Sequence, residues 1–284
     1  MVEPILDVAG LTVRFPKPDG GWSRVVDDIS FAVGQGRLAI VGESGSGKSL
    51  TARAILGLVP APGLVSSQRL SLSGRDLRNL DPSAWAGVRG AEIGLVLQDP
   101  RFALNPAHRV GRQVEEALVL HSRLGRAERR ERALDMLDAV GLERPREVYD
   151  LYPGQLSGGM GQRVMIAAML VARPKLLIAD EPTSALDEAL RSQILALIAE
   201  LAEKHRMGLV LISHDLQQVA DFADDVIVMY RGRIVDRQPA RDLARSSNPY
   251  TAMLWNCRPS AASHGTHLPT LTAAEREVLN DFGA

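Results

Sequence analysis

Arg37-Leu-Ala-Ile-Val41 runs directly into Gly42-Glu43-Ser44-Gly45-Ser46-Gly47-Lys48-Ser49, and the residues from Lys48 to Leu58 suit a helix that Pro60 and Pro62 stop. A short apolar strand, a glycine-rich turn and a helix, in that order, are an α/β signal. The turn has the spacing G-x-x-x-x-G-K-[ST] of a phosphate-binding loop. Polyphosphate oxygens must be met by main-chain N–H groups, so the chain has to curl tightly around them, and glycines permit the curl. The helix that follows presents its leading amides to the anion. A helix terminus contributes only about 0.3–2 kcal/mol for a charge. Lys48 is therefore expected on the β- and γ-phosphates of a triphosphate and Ser49 on Mg²⁺, with Leu50 next in the first helical turn. A flexible Gly/Ser linker is the competing reading, and the strand before and helix after decide against it.

Three more residues extend the site. The apolar strand Lys175-Leu-Leu-Ile-Ala179 ends at Asp180, whose carboxylate is placed to reach the metal, and Glu181 follows. A carboxylate there can polarise the water that attacks the γ-phosphate. An Asp-Glu pair on its own would equally be a strand-to-helix cap; the phosphate loop upstream gives it a chemical reason. His214 follows the buried strand Gly208-Leu-Val-Leu-Ile-Ser213. Such a histidine is more often a cap, unless its strand neighbours that of Asp180 in a parallel sheet; its imidazole then reaches the γ-phosphate.

Composition excludes several classes. Lys plus Arg number 33 against 34 Asp plus Glu, a formal charge of -1, so there is no basic excess of the kind nucleic-acid readers show. Glu128 and Glu131 interrupt the arginine-dense stretch Arg123–Arg132, which reads as a solvated helix face. Cys257 is the one cysteine, so no internal disulfide or Cys-based metal cluster can form, as suits a reducing compartment. Met1–Val8 carries Glu3 and Asp7 and no apolar signal-peptide core. The longest apolar run, Val164–Ala172, is about half the ~20 residues a membrane-spanning helix needs and reads as a buried helix.

The remaining chain sorts into layers. Ile5–Val8, Leu11–Phe15, Val25-Val26 and Ile29–Val33 alternate between turn signals and predict an antiparallel β layer. Ile93–Leu97 is a strand. Between Gln98 and Ser157 no strand pattern occurs, and Val110 to about Leu137 reads as helices with Val114, Ala117, Leu118 and Leu120 on one side. Leu186, Leu190, Ile194, Leu197, Ile198 and Leu201 recur at helical spacing. Val226–Tyr230 and Arg233–Asp236 flank Arg231-Gly232 as a hairpin. From Ser246 onward core signals are few. The expected organisation is an α/β nucleotide-binding core with its β layer over 1–97 and 165–245, a helical subdomain over 98–164 and a short tail over 246–284.

Leu156-Ser157-Gly158-Gly159-Met160 resembles the signature motif of ABC ATPases, with Met160 in the place of the usual glutamine. Ser157 and the amides of Gly158 and Gly159 at a helix start form a second anion cradle. Gln98 resembles the glutamine loop, Ser184-Ala-Leu-Asp187 the D-loop, and His214 the switch histidine. The resemblance covers residues 3–255 and implies a P-loop NTPase (RecA-like) core with an N-terminal antiparallel β layer and an inserted helical signature subdomain. It further implies that Gln98 joins Ser49 and Asp180 at Mg²⁺. ATP would be sandwiched between the phosphate loop of one subunit and Ser157–Gly159 of the other, with Glu181, His214 and Gln98 catalytic. The family also uses an aromatic residue against adenine; Phe15 and Trp22 both fit.

Ala103-Leu-Asn-Pro106, the Met-ending signature and Asn248-Pro-Tyr-Thr251 resemble the D-type ATPases of peptide, nickel and opine importers. That implies a heterodimer with a paralogous ABC ATPase, two transmembrane permease subunits and an extracytoplasmic solute-binding protein, with no nucleic acid. The chain would sit peripherally at the cytoplasmic face of the inner membrane. Some members carry a multi-cysteine motif for an iron–sulfur cluster, which the lone Cys257 does not extend to this chain. An exporter ATPase, or an ABC ATPase acting on DNA or ribosomes, are the alternatives; the latter usually has two cassettes in one chain or a long coiled-coil insertion, and neither pattern is present.

Overall fold

The computed structural model describes residues 3–184 and 186–258. Met1, Val2, Ala185 of the D-loop and the part of the expected tail beyond residue 258 lie outside them. Leu6–Pro16 (β1) and Trp22–Val33 (β2) pair antiparallel, and Arg37–Val41 (β3) leads through the glycine-rich turn into Lys48–Ile55 (α1). Three short strands follow, Leu64–Ser66 (β4), Arg69–Leu72 (β5) and Arg75–Asp76 (β6), then Pro82–Ala86 (α2) and Ile93–Val96 (β7). The next stretch is helical: Pro100–Ala103 (α3), Val110–His121 (α4), Arg126–Ala139 (α5), Pro145–Asp150 (α6) and Gly158–Leu170 (α7). Leu176–Asp180 (β8), Glu188–Lys204 (α8), Gly208–Ile212 (β9), Leu216–Phe222 (α9), Asp225–Tyr230 (β10), Arg233–Pro239 (β11) and Pro249–Asn256 (α10) complete the described chain. No described helix is long and apolar enough to cross a membrane.

The chain folds as two compact units, one built from the residues up to Asn79 and from Val210 onward, the other from Leu80–Leu209. In the first unit, β1 and β2 are each continuous where the sequence suggests two strands. Leu6 and Val8 point into the core on even numbers, Leu11 and Val13 on odd ones. A bulge between Val8 and Leu11 absorbs the extra residue, so both halves bury the same face. Cross-strand pairs such as Val8 with Phe31 and Leu11 with Ile29 are apolar on both sides. β1 also pairs with β4 and β5, and β5 with β6. β10 pairs parallel with β3 and antiparallel with β11, which is the expected hairpin. α1 ends three residues short of the expected Leu58, where Leu58 donates its N–H to the Arg53 carbonyl at 2.7 Å and turns the chain.

The second unit pairs β7 and β8 in parallel, Ile93 opposite Leu176 through Val96 opposite Ala179. α7 packs on β7 and carries the longest apolar run, with Val164, Met165, Ile166, Ala167, Leu170 and Val171 all buried. α4 packs on α5, α6 and α7. Its buried stripe is Val110, Val114 and Leu118, spaced by four. Leu120 is two positions from Leu118, on the opposite side, and is 68% exposed, which corrects its expected place on the apolar face. Tyr149 of α6 donates its hydroxyl to the buried Glu115 of α4. Burial, then the Glu115 carboxylate, pushes the Tyr149 phenol up to about 12.

The segment from Ser246 to Arg258 differs from the expected tail. Asn248 caps α10 by accepting from the Tyr250 and Thr251 amides at 3.0 and 3.1 Å, and its side-chain amide donates to the Val235 carbonyl at 2.8 Å. The Asp236 carboxylate accepts from Ser246 and Thr251 hydroxyls, both at 2.7 Å. Tyr250 is fully buried. One large side chain and a set of polar contacts seat this helix, which is why apolar patterning does not reveal it.

Candidate active site

The phosphate loop lies in the first unit. β3 is buried along Leu38–Val41 and delivers the chain to Gly42 at φ 149, a conformation L side chains rarely adopt. A Cβ there would stand 2.2 Å from the Met229 carbonyl oxygen of β10, so β10's backbone forms one wall of the turn. The loop closes on itself: Ser46 N–H donates to the Glu43 carbonyl at 3.2 Å, and Gly232 N–H to the Ser46 carbonyl at 3.0 Å. Lys48 is only 5% exposed, and its ammonium curls back to the carbonyls of Gly42 and Glu43 at 2.7 and 2.8 Å. Gly47, the N-cap of α1, brings no side-chain acceptor to the helix's leading amides, and the first turn holds no acidic residue. A buried ammonium beneath a helix start that has no side-chain cap and no acidic residue in its first turn fits a polyphosphate. Glu43, Ser44 and Gly45 are exposed at the tip, while Ser49 and Leu50 are half-buried on the helix.

His214 belongs to the same unit. Ser213, just before it, donates its N–H to the Ile40 carbonyl of β3 at 3.2 Å, so His214 leaves its strand at the end where β3 delivers the loop. Asp215, and not His214, caps α9 by accepting from the Gln218 amide at 3.1 Å. His214 is therefore not spent as the helix cap and is exposed. The two aromatic candidates are also here. A Cβ on Gly63 would come within 2.7 Å of the Phe15 ring, so Phe15 packs against that turn, whereas Trp22 is 45% exposed with the Arg14 guanidinium 4.9 Å above its ring.

The other candidates lie in the second unit. The parallel pairing of Val96 with Ala179 brings Gln98 and the Asp180-Glu181 pair to the same end of β7 and β8. Gln98 is exposed; Asp180 and Glu181 are half-buried. Glu181 adopts φ 48, an uncommon conformation for a side chain of its size, and its carbonyl accepts from the Ser184 amide and hydroxyl at 3.3 and 3.2 Å. Such strain concentrates at functional positions. Ser157 is the N-cap of α7, its hydroxyl accepting from the Met160 amide at 3.3 Å. Ser157 and Gly158 border a cleft of roughly 490 Å³ with Asp99, Pro100 and Leu104, the residues that follow Gln98. Gly159 has a packing reason too: a Cβ would meet the Leu190 side chain of α8 at 2.7 Å. Asp187 caps α8 by accepting from the Leu190 amide at 2.9 Å. Ser49 is thus in the first unit and Gln98 and Asp180 are in the second.

Two residues escaped sequence reading. Gln162 is fully buried in α7 and donates its amide to the Pro182 carbonyl, which ties the helix begun by Ser157 to the turn that carries Glu181. A polar side chain inside an apolar helix was the available signal. Tyr250 accepts the Glu43 amide on its hydroxyl at 3.2 Å. Burial pushes its phenol well above the usual range, so the hydroxyl stays protonated throughout neutral conditions.

The family model described as ABC transporter matches residues 26–184. The dipeptide transport ATP-binding protein DppD of Haemophilus influenzae is 46% identical over 269 residues, 94% of this chain and 81% of that protein. The oligopeptide transport ATP-binding protein OppD of Escherichia coli is 42% identical over 279 residues, covering 98% of this chain and 82% of OppD. Among solved structures, the dimeric MJ0796 bacterial ABC transporter cassette superposes with a TM-score of 0.72 at 29% identity over 83% of this chain and 99% of that one. The cbiO1 protein of Clostridium perfringens gives a TM-score of 0.73 at 28% identity over 89% of this chain and 94% of its own.

Proposed function

Since the chain belongs to the ABC transporter ATP-binding family, with the fold of a P-loop NTPase and the activity of an ATPase, we propose that it is the ATP-hydrolysing subunit of a peptide importer. The observation that carries the nucleotide reading is the buried Lys48 ammonium beneath the start of α1, where no side-chain cap competes for the leading amides. Lys48 exchanges its loop carbonyls for the β- and γ-phosphate oxygens, and the loop amides take the remaining charge. Ser49, Asp180 and Gln98 would hold Mg²⁺, whose charge would offset that of the phosphates. Glu181 accepts the proton of the attacking water, and His214 donates to a γ-phosphate oxygen.

Ser157 with the Gly158 and Gly159 amides serves the nucleotide held by another subunit, since one chain carries one phosphate loop and one such helix start. A paralogous ATPase would complete both sites, two permeases would convert closure of the pair into movement of cargo, and an extracytoplasmic binding protein would deliver it. We place the chain at the inner face of the membrane. The names of DppD and OppD favour a dipeptide or oligopeptide over nickel or an opine. The test is ATP hydrolysis by the chain assembled with its permeases in vesicles. A peptide-loaded binding protein should raise the rate above that with empty binding protein. Stimulation by a nickel-chelate or an opine in place of peptide would overturn the cargo assignment.

A further inference from the structure

Residues 246–258 have no part in the chemistry above, yet the side chains of Ser246, Asn248 and Thr251 seat the helix that carries one buried side chain. Asn248 caps α10 and holds Val235, and Ser246 and Thr251 share the Asp236 carboxylate. The side chain so fixed is Tyr250, fully buried, its ring 4.6 Å from that of Tyr230 at the end of β10. Its hydroxyl oxygen accepts the Glu43 N–H at 3.2 Å. That amide and the Gly42 carbonyl belong to one peptide unit, and the Gly42 carbonyl accepts from Lys48 Nζ at 2.7 Å. The first peptide of the phosphate loop is thus held at both ends, by Tyr250 on its nitrogen and by Lys48 on its oxygen.

We infer that Tyr250 is a positioning residue for nucleotide binding, and that α10 is a strut of the phosphate loop. The physical reason lies in the exchange Lys48 must make. When the ammonium turns to phosphate it releases the Gly42 carbonyl, and one of the peptide's two anchors goes. Tyr250 then keeps the peptide from rotating, so Lys48 leaves from and returns to a fixed loop. Without the hydroxyl, the Glu43 N–H loses its acceptor and the loop must be ordered at the expense of binding. This inference rests on the nucleotide reading of Lys48 given above.

Tyr250→Phe keeps the ring and its packing and removes only the acceptor. The assay is calorimetric binding of ATP and of ADP to the full chain, with KM and kcat measured in the assembled transporter. Tyr250→Phe should weaken both nucleotides roughly two- to twelvefold, the change one neutral hydrogen bond carries. KM should rise by a similar factor while kcat stays within about twofold, because the Glu181 turn is untouched. Tyr149→Phe, which removes the phenol hydroxyl that donates to the buried Glu115 in the helical unit, controls for general loosening; it should lower thermal stability and leave affinity unchanged. Wild-type affinity in Tyr250→Phe, or equal weakening in Tyr149→Phe, overturns the inference. Lys48→Ala separates it from its premise: if that variant binds as the wild type does, the nucleotide reading itself is wrong.

Discussion

Replacing Gly42 with alanine tests the geometry of the phosphate loop, and its cost can be worked from the structure. The residue sits at φ 149, and the new Cβ would lie 2.2 Å from the Met229 carbonyl oxygen and 2.9 Å from Ser46 Oγ. Carbon needs about 3.5 Å to a non-bonded neighbour, so the loop or β10 must give way by roughly an ångström. Met229 is buried within β10, which pairs on both sides, so the loop is the part that moves. Backbone strain costs about 1–3 kcal/mol and overpacking a similar amount, giving about 2–6 kcal/mol in all. At about 2–4 °C per kcal/mol for a chain of this size, the melting temperature should fall by roughly 4–24 °C. Gly45→Ala is the matched control. Its φ is 81, but a Cβ there meets nothing within 4 Å, so only the left-handed backbone cost of about 1–2 kcal/mol applies. Scanning calorimetry of the two variants, with ATP titrated into each, reads the difference. Gly42→Ala should be the less stable of the two and should lose ATP affinity, because the Gly42 carbonyl that seats Lys48 moves with the loop. Equal melting temperatures, or intact affinity in Gly42→Ala, would refute the account of β10 as the wall of the turn.

Other consequences are as direct. Glu181→Gln should keep ATP binding and cut turnover by roughly 10²–10⁴, the usual loss for a general base; near-normal hydrolysis removes Glu181 from that role. Tyr149→Phe leaves the buried Glu115 carboxylate without its phenol donor, and the fold should lose about 1–3 kcal/mol in a denaturant titration. Burial, then the Glu43 carboxylate, raises the Cys257 thiol above its ordinary value. It should therefore alkylate slowly at pH 7 and faster only as the solution is made alkaline, and rapid labelling at pH 7 would contradict that environment.

The parts of the fold legible in the sequence are those whose apolar residues announce themselves. β3, β7, β8 and β9 are short apolar runs, and α8 carries a regular stripe. What escaped has a physical cause in each case. β1 and β2 read as separate strands because a bulge shifts the phase of the buried residues midway. β4–β6 are two to four residues long and hold only Leu70 and Leu72 as buried apolar residues, too few to form a pattern. α10 is seated by Tyr250 and hydrogen bonds, to which hydrophobic periodicity is blind. At the site, the motif residues sit at the strand ends and helix starts their spacing suggests. Backbone conformation was invisible, as with the positive φ of Glu181. So was the choice among neighbours, since Asp215 rather than His214 caps α9.

The central claim is that this chain gives its phosphate loop to one nucleotide and its Ser157 helix start to another. Ser157→Arg tests it most directly, by comparing ATP affinity of the chain alone with hydrolysis by the assembled transporter. The claim predicts affinity within about twofold of wild type and hydrolysis abolished, since Ser157 caps α7 and lies outside the unit that holds Lys48. Loss of both, or of neither, would contradict it.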